Sequence, residues 1–266
     1  MKAMKLYDRV ERIHNELALI DVGGAAPLTV EQLAPFDHYH YFGTEAVDEA
    51  IVALGLSPGM RVLDIGSGIG GPARYIAATS AAHVTALELQ PDLDSLAADL
   101  TTRCGLAHLV EHRCGDILDG LRETYDAVVS FLCFLHIADR MRLLATCRTA
   151  IAVGGGMYIE DFAMRREPTA DEAAVLEVKV QCPVLPSPIE YEAQLRAAGF
   201  VEIQIEDVTS QWGAFTASRL EEFRASRARM VLVHGLDIVD GLDDFYATIA
   251  RLFDTGVIAG LKILAR

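Results

Sequence analysis

The chain has 266 residues, 52% of them hydrophobic, with 23 basic against 38 acidic side chains and a formal net charge of −15. That length supports one large domain with an ample core. A surface so acidic argues against nucleic acid or an anionic membrane as partner, because both are approached through a basic footprint. The five cysteines (Cys104, Cys114, Cys133, Cys147 and Cys182) form no CxxC pair, which fits thiols in a reducing compartment rather than a disulfide framework. Neither a charged-then-apolar leader nor an apolar run of about 18 residues is present, so a cytoplasmic protein without a membrane span is expected.

In chain order, a helix is expected over 5–20, closed by "DVGGAAP". The ring-rich stretch "APFDHYHYFGTE" reads as a loop, and Thr44 then caps a short helix over 44–54. Apolar runs at 61–65, 83–89, 110–114, 127–130 and 157–161 read as strands. Helical patterns centred on 73–79, 92–103 and 139–152 lie between them. This alternation means crossover units and a parallel α/β sheet covered on both faces. The rhythm changes in the tail. "EYEAQLRAAGF" is an amphipathic helix stopped by Gly199, and "VEIQIEDV" alternates with strand period. Helix-like stretches follow at about 217–233 and 240–253, and "AGLKILAR" is a last strand. The excursion at about 208–256 is either a lid over a site or extra core packing. Residues 1–57 read as N-terminal helices and an aromatic flap belonging to the same domain as 58–266.

The most informative stretch is "VLDIGSGIGGPARYIA", residues 62–77. Gly66, Gly68 and Gly70 allow a sharp turn and close approach to a ligand, and Pro72 suits the first turn of the helix that follows. Gly66, Gly68 and Gly71 also satisfy the dinucleotide pattern GxGxxG. Three acids favour S-adenosylmethionine (SAM) instead. Asp64, at the carboxyl end of the first strand, attracts an ammonium and repels a pyrophosphate. Glu88 in "ALELQ" offers two carboxylate oxygens to ribose hydroxyls. Asp116 in "CGDIL" accepts from an adenine amino group while Ile117 packs on the ring. Ser67, Leu89 and Phe131 complete the expected cofactor-binding set.

On these residues the chain resembles the class I SAM-dependent methyltransferases from Phe36 to Arg266, with "VGGG" at 153–156 matching the family's turn into strand five. The resemblance implies a Rossmann-like, seven-stranded, mostly parallel sheet with a final antiparallel hairpin and helices on both faces. It also implies SAM as cofactor, S-adenosylhomocysteine (SAH) as product, and no metal.

Transfer from a sulfonium needs alignment, exclusion of water and, for some acceptors, removal of a proton. The stretch "SFLCFLHIADR" at 130–140 lacks the Asn/Asp-Pro-Pro-aromatic loop of nucleic-acid amino methylators. No ligand set like that of metal-dependent catechol enzymes is found. Glu160 and Asp161 lack a third ligand, and His108 and His112 straddle a strand start. "GIGGPARYIA" with "FLHIADR" is similar to a small-metabolite subgroup that includes sarcosine/dimethylglycine and phosphoethanolamine N-methyltransferases and some natural-product enzymes. That similarity implies a small-molecule methyl acceptor with an amine nitrogen. In the phosphoethanolamine enzymes an Asp stands four residues before a His that pairs with an N-terminal Tyr. Here His136 is present, but the Asp position holds Leu132, preceded by Phe131, which points to a more apolar pocket or a differently placed acid.

His136 and Tyr39 are the candidate catalytic pair. His136 serves as base or gate, or alternatively orients a backbone group at a helix end. Tyr41, Leu132, Asp161 and Trp212 are the candidate acceptor contacts. Tyr39 and Tyr41 would close over SAM or hold a methylated ammonium, at ~0.5–2 kcal/mol per ring; alternatively Phe36 and Phe42 anchor a flap. Two other readings stay open: O- or C-methylation of a hydrophobic natural product, and a non-catalytic SAM- or dinucleotide-binding module. A monomer or homodimer is expected.

Overall fold

The computed structural model describes residues 10–20 and 24–266. Its centre is a seven-stranded sheet built from β1 (Arg61–Ile65), β2 (His83–Glu88), β3 (Val110–Cys114), β4 (Tyr125–Phe131), β5 (Ile151–Met164), β6 (Ile203–Asp207) and β7 (Ile258–Ala265). The order is β3-β2-β1-β4-β5-β7-β6. Strands β1 to β5 pair in parallel, and β7 runs antiparallel to both β5 and β6. The order therefore reverses between β1 and β4, and in open α/β sheets the crevice at such a reversal is where ligands bind.

The local reasons are plain in the sequence. In "RVLDI" all but the first residue are buried, as befits a central strand covered on both faces. Helix α4 (Gly71–Ser80) starts on a proline in its first turn and carries the chain from β1 to β2, and α5 (Pro91–Arg103) repeats the device. Helix α6 (Arg140–Ala150) is capped by the Asp139 carboxylate, which accepts from the Arg142 amide at 3.1 Å. Strand β5 is longer than the expected 157–161 because the "VGGG" turn is absorbed into it, with a register shift opposite Tyr125 and Ala127.

Other helices depart from the sequence reading. Of the expected 5–20 helix, α1 (Val10–Ile20) is described and residues 5–9 lie outside the described residues. The ring-rich segment holds the end of α2 (Val30–Asp37), which follows a capping box between Thr29 and Gln32, a signal present in "TVEQ". The short helix α3 (Thr44–Leu54) has its expected bounds. After β5 come α7 (Ala170–Val175) and a wide turn, Leu176–Val180, then α8 (Pro188–Ala197). The excursion before β7 comprises α9 (Thr209–Ala225), α10 (Arg227–His234) and α11 (Leu236–Asp254).

One sheet face packs Leu63, Val128 and Ile159 against Leu143 and Leu144 of α6 and Tyr191 of α8. The other packs Val62, Ala127 and Val129 against α3 and α4. A third cluster fills the excursion: Trp212, Ile249, Leu252 and Phe253 close on Phe162 of β5 and Tyr41. Packing is tight enough that a Cβ on Gly260 would lie 2.4 Å from the Trp212 ring, so the inner side of the excursion is core. The N-terminal helices dock through α2 on α4. There the fully buried Arg74 guanidinium meets the Asp37 carboxylate at 2.9 Å and also reaches the Ala97 carbonyl and the Thr101 hydroxyl. Among the described residues no helix is long and apolar enough to cross a membrane.

Candidate active site

A cavity of about 340 Å3 opens at the carboxyl ends of β1, β2 and β4, within the usual size range for small-molecule sites. Its floor is the glycine turn. Gly66 and Gly68 both hold positive φ, 73° and 55°, which a side chain would resist. A Cβ on Gly66 would also fall 2.2 Å from the Cys133 sulfur. One wall is Glu88, whose two oxygens accept from the amides of Gly68 and Gln90 at 2.9 Å each. These bonds fix the carboxylate beside the turn. Burial raises its pKa, against the opposing pull of the backbone donors.

Past Glu88 the wall becomes apolar, with Leu89, Leu93, Ile117 and Leu118. Asp116 caps the short turn after β3 by accepting from the Leu118 amide at 2.9 Å. Such a site has the chemistry for a nucleoside: a carboxylate for a diol, an acid for an amino group, and aliphatic side chains for the ring. These residues fit SAM, with Glu88 and Asp116 as polar contacts and Ile117 and Leu118 against the base.

The opposite wall comes from the end of β4 and the flap. Phe131, Leu132, Cys133 and His136 line it, together with Tyr39. Leu132 has φ 53°, a costly conformation for a non-glycine residue, and its amide is held by the Glu160 carbonyl at 2.8 Å. The His136 ring places Nδ1 3.0 Å from the Gln181 carbonyl, so that nitrogen carries the proton. Burial pushes the His136 pKa down to about 4, and the ring is neutral near pH 7. The Tyr39 ring lies over Gly68, with the Arg12 guanidinium 5.5 Å from its centroid, and burial lifts its hydroxyl to about 12.

The structure thus gathers Tyr39, Gly66, Gly68, Glu88, Leu89, Asp116, Ile117, Phe131, Leu132 and His136 around one cavity. It places the remaining candidates elsewhere. Ser67 is buried in the turn, and Gly70 packs on Arg74 and His112. Asp64, just 1% exposed, does not line the cavity; burial and then the nearby Glu88 charge push its pKa up to about 7.

Three acceptor candidates are core instead. Asp161 is fully buried, accepts from the Tyr191 hydroxyl at 2.9 Å and lies 3.5 Å from Arg140. Tyr41 is buried edge-on against Trp212, with ring centroids 4.9 Å apart. Trp212 has no exposure at all. The reason is common to Tyr41 and Trp212: the excursion must bury an apolar face, and the largest rings fill it.

Cys133, Gln90 and Leu93 line the cavity without having been singled out. Cys133 had a readable signal, lying in the same loop as His136. Gln90 and Leu93 needed the path of α5. His40 stacks on Phe131 at 4.7 Å while its Nδ1 meets the Tyr41 carbonyl at 3.0 Å, a role no sequence pattern announces. Among the described residues no group of three His, Cys, Asp or Glu is arranged to hold a metal ion.

Comparison with known proteins agrees with this geometry. Residues 63–159 match a family model described as a methyltransferase domain. The chain is 31% identical over 156 residues to glycine/sarcosine/dimethylglycine N-methyltransferase of Actinopolyspora halophila, covering 58% of this chain and 28% of that protein. It is 29% identical over 192 residues to phosphoethanolamine N-methyltransferase 1 of Arabidopsis thaliana, covering 71% of this chain and 38% of the relative. The chain therefore spans well under half the length of these relatives. A solved structure of Haemonchus contortus phosphoethanolamine N-methyltransferase 2, with phosphomonomethylethanolamine and SAH, superposes with a TM-score of 0.79 at 19% identity. That superposition covers 94% of this chain and 59% of the other and shows the shared fold. With the sheet order, the glycine turn and the domain match together, residues 63–159 match a methyltransferase domain, and the chain shares the fold of the solved N-methyltransferase.

Proposed function

We propose that this protein transfers a methyl group from SAM to the amine nitrogen of a small metabolite. SAM supplies an electrophilic methyl on a sulfonium with a good leaving group. The chain's own residues bind, align and exclude water, and placement of this kind is worth on the order of 7 kcal/mol or more. Glu88 holds the ribose diol, Asp116 the adenine amino group, and Ile117 and Leu118 the base. Gly66 and Gly68 let the backbone approach the methionine moiety. The buried Asp64 stands behind the turn and makes no contact with the cavity. His136 and Tyr39 face the cavity from the β4 loop and the flap and shield the reacting centre.

The observation that carries this reading is the Glu88 carboxylate, fixed by the Gly68 and Gln90 amides at 2.9 Å on the wall of a largely apolar cavity. The amine as acceptor is supported by the relatives, whose printed activities are N-methylations. Labelled methyl transfer from SAM to glycine, sarcosine, dimethylglycine, phosphoethanolamine, phenols and carboxylates tests it. Saturable transfer to one of the amines supports the reading. Transfer only to a phenol or carboxylate favours the second reading, O- or C-methylation of a hydrophobic natural product, for which Leu132 and Phe131 on the cavity wall speak.

A further inference from the structure

Strand β5 carries two adjacent buried acids with different surroundings. Asp161 is engaged by Tyr191 and Arg140. Glu160, with no exposure, accepts the Tyr158 hydroxyl on Oε1 at 3.3 Å, and its Oε2 has no hydrogen-bond partner among the described residues. Native proteins rarely leave a buried carboxylate oxygen unpaired, because the group keeps its desolvation cost without compensation.

Position gives Glu160 a use. Its in-register neighbour on β4 is Phe131, which lines the cofactor cavity, and on β7 it is Lys262. In-register neighbours project to the same face, so Glu160 stands one strand, about 5 Å, from the cavity wall. It stands level with the carboxyl end of β4, and ligands of open α/β sheets are bound beyond such strand ends. The charged and titratable groups around it are Tyr158 of β5, Lys262 of β7, Glu206 of β6 in register with Lys262, and Glu49 of α3, which pairs with Lys262. Lys262 is the one cation among these groups, and Glu49 is already paired with it. Burial, only partly offset by Lys262, pushes the Glu160 pKa up to about 7. The His40 ring covers Phe131 on the flap side.

We propose that Glu160 receives the protonated amine of the methyl acceptor beside Phe131 and takes its proton before transfer. This rests on the amine reading above. The ammonium N–H bond breaks and the proton goes to the carboxylate. The freed nitrogen lone pair then forms the N–C bond while the methyl–sulfur bond breaks with its electron pair left on sulfur. Glu160 afterwards returns the proton to water. This reading disfavours an acceptor that presents an anion at this position.

The test compares wild type, Glu160→Gln, which keeps size and the Tyr158 contact, and Glu160→Asp, which keeps the acid. Calorimetric binding of dimethylglycine and sarcosine to the SAH complex is measured at several pH values, with SAM affinity and labelled transfer alongside. In Glu160→Gln, SAM affinity is expected to stay at the wild-type level while amine binding weakens about tenfold or more. Transfer is expected to fall about 100-fold with loss of the inflection near neutral pH, and Glu160→Asp to recover part of it. Wild-type binding of these amines is expected to strengthen as pH rises through the Glu160 transition. Wild-type KM, kcat and pH dependence in Glu160→Gln overturn the proposal. So does pH-independent amine binding in wild type, even if the variant does not fold. A wild type that binds SAM but neither binds nor methylates any amine overturns the amine reading, and this inference with it; transfer to an amine that survives Glu160→Gln overturns this inference alone.

Discussion

Glu88→Ala removes the carboxylate around which the cofactor cavity is arranged. In the structure each oxygen already accepts one backbone amide at 2.9 Å, from Gly68 and Gln90, so the group is held in place before any ligand arrives. The remaining lone pairs face a cavity whose further wall is aliphatic, where water competes poorly. A hydrogen bond to a charged group is worth about 1.5–3 kcal/mol. Two ribose hydroxyls on one pre-fixed carboxylate therefore account for about 3–6 kcal/mol, which at 1.4 kcal/mol per decade is a 10²- to 10⁴-fold loss of SAM affinity. Glu88→Gln, which keeps one acceptor oxygen, is expected to fall between, at about tenfold. Isothermal titration with SAM and with SAH measures the loss, and thermal unfolding of the unliganded protein shows whether the fold is kept. A folded Glu88→Ala protein that binds SAM within about threefold of wild type would refute the assignment of this carboxylate to the ribose.

Arg74→Met leaves the Asp37 carboxylate buried and unpaired, so a loss of about 3–5 kcal/mol is expected in denaturant unfolding; a loss below about 1 kcal/mol would mean that α2 is not fastened through this pair. Gly260→Ala drives a methyl to 2.4 Å from the Trp212 ring and is expected to cost about 1–3 kcal/mol by overpacking. SAM affinity should not change, and a large drop in it would show Trp212 coupled to the cofactor site. Asp64→Asn tests a sign. Burial and Glu88 raise Asp64 to about 7, so the folded protein holds this proton more tightly than the unfolded chain does. The stability Asp64 contributes is then full below about pH 4 and is lost as pH rises toward about 7. The melting temperature of Asp64→Asn minus that of wild type should therefore climb across that interval, and a flat difference would contradict the buried, charge-coupled setting.

The glycine turn and the cavity wall beside it were largely legible because their signals are local. The glycine turn, Pro72, and the acids at Glu88 and Asp116 follow strands whose apolar runs are short and bounded. A strand end, a positive-φ glycine and a helix start lie within a few residues of one another, so chain order alone brings their backbones together. Of the acceptor candidates, Leu132 lines the cavity and the other three do not. Tyr41, Asp161 and Trp212 look like ligand-binding side chains by type, yet each is consumed by packing: Tyr41 and Trp212 by the apolar face of α9 and α11, Asp161 by Tyr191 and Arg140. Glu160 and Asp161 are adjacent and chemically alike in sequence. Strand alternation sends them to opposite faces of the sheet, where one meets an arginine and a tyrosine and the other a half-satisfied seam beside Phe131. Fold class, crossover order and the glycine turn could be read along the chain, since they rest on periodicity and on residues close in sequence. Which polar and aromatic side chains stay at the cavity and which are packed away followed from long-range packing, because it depends on what elements distant in sequence had to bury.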